Sequence, residues 1–272
     1  MRASRIRQRL RNDQVARIAC MYYPTMMMPA HAAQAGFDAL WLDNEHNAWD
    51  RREIQRMLSL HHLADIDCIV RTGSRNPTDL YRLLEDGASA LLIPLVNSRQ
   101  DAQDLVRAVK FPPLGQRGVD GAGLDNGFGL NGRDGYFAAA NRETVLIVQI
   151  ETPEAVAAVD EIAAVPGIDG LFIGPGDLSL RLNCAMDWTV PAMLEAQTRV
   201  AAAAARNRVA WGRPARSVDD IRALCAAGAR LIAHGSDFGS VSAMLPQFGA
   251  KFNEALGLPV VNPASRPTVH SE

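Results

Sequence analysis

The chain has 272 residues, a net charge of −2 and 48% hydrophobic residues, so it can bury a large core and is not globally disordered. Its near-neutral charge argues against a nucleic-acid partner, because nucleic-acid binders usually present a basic face. Its longest apolar runs are far too short to cross a bilayer, so no membrane partner is expected.

Short apolar runs alternate with amphipathic segments along the chain. The runs cover residues 15–21, 39–43, 68–71, 90–96, 145–151, 170–174, 209–212 and 231–235, and the amphipathic segments cover 51–62, 77–86, 98–109, 153–165, 191–207 and 218–227. This alternation predicts parallel strands joined by helices, and the continuous apolar runs predict strands buried on both faces. Eight such units predict an α/β fold of the TIM (β/α)8 barrel type in one domain over 1–258, followed by a loose or partner-bound tail over 259–272. A doubly wound open sheet is the alternative, but no G-x-G-x-x-G motif follows the first run.

Residues 115–135 interrupt the alternation, because eight of these 21 residues are glycine. The segment lies between the fourth helix and the fifth strand. It is interpreted as either a flexible surface loop or a lid over an active site, since long barrel loops often cover the site.

The cysteines and lysines restrict the possible chemistry. The four cysteines are scattered without a C-x-x-C pair, which indicates reduced thiols in a cytoplasmic protein rather than a disulfide framework or a zinc site. The basic amino terminus is followed by no apolar stretch, so it is not expected to be a signal peptide. Only Lys110 and Lys251 are present and neither ends an apolar run, so Schiff-base chemistry is not expected.

Polar side chains follow several of the apolar runs. In a barrel the carboxyl ends of all strands meet at one rim, where catalytic groups lie. The side chains expected there are Asp43, Glu45, His46, Arg71, Gln149, Glu151, Asp177, His234 and Asp237.

Glu151 and Asp177 follow neighbouring predicted strands, so their carboxylates are expected to lie close together and to repel. A divalent cation removes this repulsion, and oxygen ligands suit Mg²⁺ or Mn²⁺. The alternative for each residue alone is a helix-capping role. The pair together favours a metal site.

Arg71 ends an otherwise apolar strand and is expected to bind a carboxylate or carbonyl oxygen, or else to pair with Glu45 or Asp43. His46 follows two acidic residues and is a candidate general base, or else a satisfied core histidine. A metal ion with an arginine can polarise a 2-oxo acid, and a base can then move a proton. With imine chemistry excluded, a metal-dependent aldol reaction remains.

Five phrases occur in order along the chain: AGFDALWLDNEH (35–46), LEDGASALLIPLVNS (84–98), FPPLGQRGV (111–119), VQIETPEAV (148–156) and VPGIDGLFIGPGDLS (165–179). They resemble the HpcH/HpaI aldolase/citrate lyase family, whose members include class II pyruvate aldolases such as 4-hydroxy-2-oxoheptanedioate aldolase and 2-dehydro-3-deoxyglucarate aldolase. The resemblance implies a modified barrel of the phosphoenolpyruvate/pyruvate type and a trimer or hexamer with an exchanged C-terminal helix. It further implies the cleavage of 4-hydroxy-2-oxo acids to pyruvate and an aldehyde.

The resemblance also implies residue roles. Mg²⁺, Mn²⁺ or Co²⁺ would bind Glu151 and Asp177, and Arg71 would bind the pyruvyl oxygen. His46 would be the base, oriented by a carboxylate for which Asp43 and, in the fourth unit, Glu85 or Asp86 are the candidates. Pyruvate would also contact the side chain of Gln149 and the backbone of Gly176 and Asp177.

The chain departs from the family pattern at residues 22–28 and at the glycine-rich segment, so the second substrate is not identified. Two other hypotheses stay open. One is a different enolate reaction on the same site, such as oxaloacetate decarboxylation or addition to an acceptor that is not an aldehyde. The other is a non-catalytic metabolite-binding or assembly protein.

Overall fold

The structure is a computed structural model that describes residues 1–259. Eight parallel strands form a closed barrel in chain order, which confirms the predicted (β/α)8 fold and excludes the open sheet. The strands are β1 (Ala16–Met21), β2 (Ala39–Asn44), β3 (Asp67–Thr72), β4 (Ala90–Ile93), β5 (Val145–Ile150), β6 (Gly170–Ile173), β7 (Ala210–Pro214) and β8 (Leu231–Ser236). All eight predicted runs therefore correspond to strands.

The helices surround this barrel. They are α1 (Arg5–Arg11), α2 (Met28–Gln34), α3 (Arg51–Leu63), α4 (Pro77–Glu85), α5 (Arg99–Val109), α6 (Tyr136–Glu143), α7 (Pro153–Ala157), α8 (Val159–Ala163), α9 (Pro175–Arg181), α10 (Pro191–Asn207), α11 (Val218–Ala226) and α12 (Asp237–Leu256), with a short 3-10 helix at Leu124–Asn126. No helix was predicted over the residues of α1, α2 and α6. The segment 153–165, predicted as one helix, forms two short ones.

The strands separate two apolar cores because their side chains alternate between the faces of the sheet. Ile18, Ile69 and Ile147 fill the barrel interior with other inward side chains. The outward side chains, such as Val70 and Val148, pack under the helices. At the carboxyl-end rim the inward-facing residues are polar instead of apolar, and these polar side chains form the candidate site.

The helix α1 closes the amino end of the barrel. Ile6 is fully buried, and Ser4 caps the helix while its hydroxyl donates to Asp67 at 2.6 Å. Lys110 lies at this end too, where its ammonium group is 3.2 Å from Asp169. The basic amino terminus and one of the two lysines therefore neutralise buried carboxylates far from the rim.

The glycine-rich segment 115–135 also lies towards the amino end, because it follows α5 and leads into β5. Leu124 of this segment contacts Gly87 at the end of α4, and Arg117 pairs with Asp125 at 2.9 Å. Within a single chain the segment therefore lies away from the rim. Its interpretation as a lid over that chain's own site is wrong.

The last described helix, α12, presents apolar side chains to solvent. Phe238, Leu245, Phe248 and Phe252 are between 47% and 70% exposed. Among residues 1–259, no helix combines the length and apolar character needed to cross a membrane. The domain boundary at residue 258 stays a prediction, and the predicted tail lies outside the described residues from position 260 onward.

Candidate active site

An ion pair between Asp43 and Arg71 lies at the rim, where β2 and β3 end. The two residues are register partners, and both are buried. Arg71 donates from Nε to Asp43 Oδ1 at 2.8 Å and from Nη2 to Oδ2 at 2.7 Å. Burial opposes ionisation of Asp43, but these hydrogen bonds outweigh it and hold the pKa of the carboxyl below its ordinary value. The structural pair left open for Arg71 is thus present, and it orients the guanidinium within the rim.

The indole ring of Trp41 lies beneath this guanidinium. The Cζ atom of Arg71 is 4.7 Å from the ring centroid. Trp41 is 8% exposed and meets the ring of Phe172 edge-on at 5.4 Å. Because a guanidinium is attracted to an aromatic face, Trp41 supports Arg71 from below. No sequence signal separated this tryptophan from ordinary core residues.

His46 and Glu45 lie beside the ion pair, on the segment after β2. Glu45 Oε2 is 3.2 Å from Arg71 Nε and 3.7 Å from His46 Nε2. The side chain of His46 is 60% exposed, so it is not a core histidine. The carboxylate within 4 Å of His46 is that of Glu45, whereas Asp43 is occupied by Arg71.

Glu151 directly follows β5 and is 1% exposed. Its Oε1 accepts a hydrogen bond from the backbone N–H of Leu95 at 2.8 Å, and its Oε2 accepts one from the side chain of Gln149. Burial raises the pKa of the Glu151 carboxyl, and the like charges of Asp177 and Glu45 contribute to the rise. Such a carboxylate is stabilised by any added positive charge.

Space for the Glu151 carboxylate depends on Gly174, the residue after β6. A Cβ atom at this position would lie 2.3 Å from Glu151 Oε2 and 2.5 Å from Gln149 Nε2. Gly174 therefore leaves room for the Glu151 carboxylate, which sequence reasoning did not foresee. Its neighbours come from another strand, so the local phrase GPGD did not reveal the contact.

Neither carboxylate caps a helix. Thr152 caps α7 by accepting from Ala155 N at 2.9 Å, and Gly174 holds the N-cap position of α9. Asp177 lies in the first turn of α9, is about 40% exposed and is 3.5 Å from Arg181. The capping alternatives for Glu151 and Asp177 are thus wrong.

The oxygen atoms at this part of the rim fit a hard divalent cation. Within the described residues, no three His, Cys, Asp or Glu side chains are grouped closely enough to hold a metal ion. Mg²⁺ nevertheless needs only one or two carboxylates, because it keeps several waters. Gln149 Oε1 is buried and accepts no hydrogen bond from the described chain. The carboxylates of Glu151 and Asp177, with this amide oxygen nearby, match that preference.

The sequence model of the HpcH/HpaI aldolase/citrate lyase family matches residues 21–243. This chain belongs to that family. A crystal structure of an HpcH/HpaI aldolase from Desulfitobacterium hafniense superposes with a TM-score of 0.86 at 28% identity, covering 94% of this chain and 98% of that one. The resemblance in the five sequence phrases is therefore confirmed.

Two curated relatives of this chain carry named activities. A hydroxypyruvate/pyruvate aldolase of Roseovarius nubinhibens is 42% identical over 147 residues, which are 54% of this chain and 57% of that protein. A 5-keto-4-deoxy-D-glucarate aldolase of Shigella dysenteriae is 35% identical over 206 residues, which are 75% of this chain and 79% of that protein. The match to the first relative thus spans little more than half of its length.

Glu85 is not brought to His46 within one chain of this family member. It is the last residue of α4, so it lies towards the opposite end of the barrel from the rim. Burial raises the pKa of its carboxyl, and the charges that act on it include those of Arg117 and Asp125 in the glycine-rich segment. The expectation that Glu85 orients His46 is unsupported in the single chain.

Asp237 has a positioning role that sequence reasoning did not assign. Its carboxylate accepts hydrogen bonds from the backbone N–H groups of Tyr22 and Tyr23 at 3.0 Å and of Phe238 at 2.8 Å. These bonds fix the segment after β1 against the start of α12. The signal was present in the sequence, because Asp237 follows the eighth apolar run.

Proposed function

We propose that this HpcH/HpaI family member is a divalent-metal-dependent class II aldolase, a carbon–carbon lyase that cleaves 4-hydroxy-2-oxo acids to pyruvate and an aldehyde and also catalyses the reverse addition. One observation supports the proposal above all. A buried carboxylate, Glu151, lies at the same rim as the oriented cation Arg71, with Asp177 close enough for its charge to raise the pKa of Glu151. The names of the relatives agree with this chemistry.

Glu151 and Asp177 would hold Mg²⁺, Mn²⁺ or Co²⁺. When bound, the cation would supply Lewis-acid stabilisation of the negative charge that develops on a 2-oxo acid. Gln149 would line the pyruvate pocket and position Glu151 through its amide. The backbone of Gly176 and Asp177 would hold the pyruvate carboxylate. Their N–H groups lie in the first turn of α9, which begins after Gly174 and has no side-chain cap.

Arg71 would bind the pyruvyl oxygen. Arg71 donates to Asp43 from Nε and Nη2, so its Nη1 has no hydrogen-bond partner among the described residues. The role of Asp43 in this proposal is to orient Arg71, and Trp41 supports the same guanidinium from below.

His46 would act as the general base. In cleavage, its imidazole would take the proton of the C4 hydroxyl while the C3–C4 bond breaks and the bonding pair moves to C3 and the 2-oxo group. The C4 oxygen becomes the aldehyde carbonyl oxygen, and a proton delivered to C3 gives pyruvate. The exposed ring of His46 is accessible for this transfer, and Glu45 is the nearby carboxylate that would orient it.

A second enolate reaction, decarboxylation of oxaloacetate, is favoured by a specific contrast. The Arg71–Asp43 pair and Glu151 are buried and hydrogen-bonded, whereas His46 is exposed and 3.7 Å from Glu45. Decarboxylation requires Arg71 and Glu151 but not His46, so it depends on the side chains that are buried and held by hydrogen bonds.

The protein is further proposed to be a trimer or hexamer. Its α12 helix leaves several large apolar side chains exposed, which a partner copy would cover by exchanging this helix. The four cysteines are free thiols, which agrees with a cytoplasmic location. Light scattering of the full chain would test the oligomeric state.

The aldolase proposal is tested with three site variants and a control. Glu151→Gln and Asp177→Asn should lose aldol activity and Mn²⁺ binding together, measured by coupled assay and equilibrium dialysis. His46→Ala should lose aldol activity but keep Mn²⁺ binding and oxaloacetate decarboxylation. Asp219→Asn, which changes an 89% exposed carboxylate on α11, should alter neither property.

Two results would contradict the proposal. Full aldol turnover in excess chelator would show that no divalent cation is needed. Calorimetric binding of pyruvate that is equally tight with and without Mg²⁺ would favour a non-catalytic metabolite-binding protein.

A further inference from the structure

A cavity of about 420 Å³ opens at the rim between β1, β7, β8 and the start of α12. Most of its lining residues are small, so the space is free for a ligand. The lining includes Cys20, Tyr22, Ala215, His234, Ser236 and Ser240. None of these residues has a role in the part of the site proposed to form the enolate, which consists of Arg71, Gln149, Glu151 and Asp177 and is called the enolate half below.

Cys20 connects this cavity to the Arg71–Asp43 pair. It follows Ile18 on the inward face of β1 and packs with the interior core. Cys20 is the register partner of Trp41 on β2, whose ring lies 4.7 Å from Arg71 Cζ. Burial raises the pKa of the Cys20 thiol to about 12, so the thiol stays protonated and is not a nucleophile. Cys20 therefore lies between the cavity and the Trp41–Arg71 contact.

His234 lies on the wall of this cavity, and a hydrogen bond to the backbone fixes which nitrogen of its exposed ring carries the proton. Its Nδ1 lies 2.8 Å from the backbone oxygen of Ala215, and the backbone N–H of Ala215 donates to the oxygen of Ala233 at 2.8 Å. A carbonyl oxygen only accepts hydrogen bonds, so Nδ1 must carry the proton. In the neutral ring Nε2 is then a hydrogen-bond acceptor, and no described residue donates to it.

Each of the two serine hydroxyls of the cavity makes one hydrogen bond to the backbone. Ser236 Oγ accepts from Gly239 N at 2.9 Å, which caps α12, and Ser240 Oγ donates to the backbone oxygen of Ser236 at 2.8 Å. The ring of Tyr22 packs edge-on against Phe238 and provides an apolar surface. His234 Nε2 is thus an acceptor on the wall of the cavity to which no described residue donates.

We propose that this cavity holds the chain of the second substrate and that His234 Nε2 accepts a hydrogen bond from its hydroxyl group. The enzyme then prefers hydroxyaldehydes to alkyl aldehydes of the same length. His234 is a specificity residue here, since it does not take part in forming the enolate. This inference rests on the aldolase function proposed above.

The test compares glycolaldehyde with propionaldehyde, which replaces the hydroxyl by a methyl group, as acceptors for pyruvate in the full-length, Mn²⁺-loaded enzyme. The wild type should prefer glycolaldehyde, and His234→Leu should lower the ratio of the two kcat/KM values by about tenfold, as expected for one lost hydrogen bond. His234→Gln, whose amide reaches the position of Nε2, should retain most of the preference. Comparing ratios between variants cancels the different hydration of the two aldehydes.

Exchange of the pyruvate methyl protons in D₂O, followed by NMR, separates the two proposals. It should be equal in the wild type and both His234 variants, because the enolate half is untouched. If exchange persists but the ratio is unchanged in His234→Leu, the role of His234 is refuted and the aldolase proposal stands. If the wild type shows neither exchange nor condensation, the aldolase proposal itself fails, and this inference fails with it.

Discussion

The carboxylate of Asp43 and the guanidinium of Arg71 form two parallel hydrogen bonds, of 2.8 and 2.7 Å, across the register of β2 and β3. This arrangement resolves an ambiguity about Asp43, which could have oriented either His46 or Arg71. Paired in this way, Asp43 acts on the residue proposed to bind the 2-oxo group. The two roles predict different kinetic defects.

Asp43→Asn should raise KM for oxaloacetate and for the aldol substrate alike, by about tenfold, because a hydrogen bond to a charged group is lost. Mn²⁺ binding should be retained. If instead only the aldol reaction were impaired and oxaloacetate decarboxylation stayed normal, Asp43 would act through His46. Circular dichroism of the variant checks that the barrel is intact.

Gly174→Ala should weaken Mn²⁺ binding by about 10- to 100-fold, as expected when the surroundings of a metal ligand are disturbed. The new Cβ would lie 2.3 Å from Glu151 Oε2, so the carboxylate must move. Gly73→Ala is a matched control after β3, where a Cβ would meet no atom within 4 Å. Equal Mn²⁺ affinity of the two variants, measured by calorimetry, would contradict the crowding argument.

Trp41→Leu should raise KM for pyruvate by several fold, because a buried cation–π contact contributes about 1–2 kcal/mol. Trp41→Phe keeps an aromatic face and should restore most of the affinity. Pyruvate should also change the tryptophan fluorescence of the wild type, and this change should be smaller in Trp41→Phe. An identical fluorescence response in both proteins would exclude a ligand-sensitive position for Trp41.

The buried side chain of His61 is expected to lower the free energy of unfolding in acid. Its ring is 1% exposed, and burial lowers its pKa from 6.5 to about 4. Between these values the unfolded chain binds a proton that the folded chain does not, so stability is complete above pH 6.5 and falls as the pH approaches 4. The difference corresponds to about 3 kcal/mol.

His61→Leu should remove this part of the acid dependence. Denaturant unfolding at several pH values between 7 and 4 would show a shallower loss of unfolding free energy in the variant than in the wild type. Parallel curves would mean that His61 is protonated at the same pH in both states.

The strands were predictable because their pattern is local. Continuous apolar runs mark strands that are covered on both faces, and the boundary errors have identifiable causes. The run 90–96 ends early as β4, since Pro94 follows the strand and Leu95 adopts a left-handed φ of 56°. The helix α1 was missed because its basic residues match no apolar stripe, and its stability comes from contacts with distant carboxylates such as Asp67.

What the sequence alone determined is which polar groups meet at the rim. Parallel strands in one barrel all end at the same side, so Asp43, Arg71, Glu151 and Asp177 had to gather there once the alternation was recognised. Only the tertiary structure decided which of them touch. Strand register paired Asp43 with Arg71, close packing made Gly174 necessary for Glu151, and helix direction carried Glu85 away from the rim. These contacts join residues distant in sequence, so no local pattern encodes them.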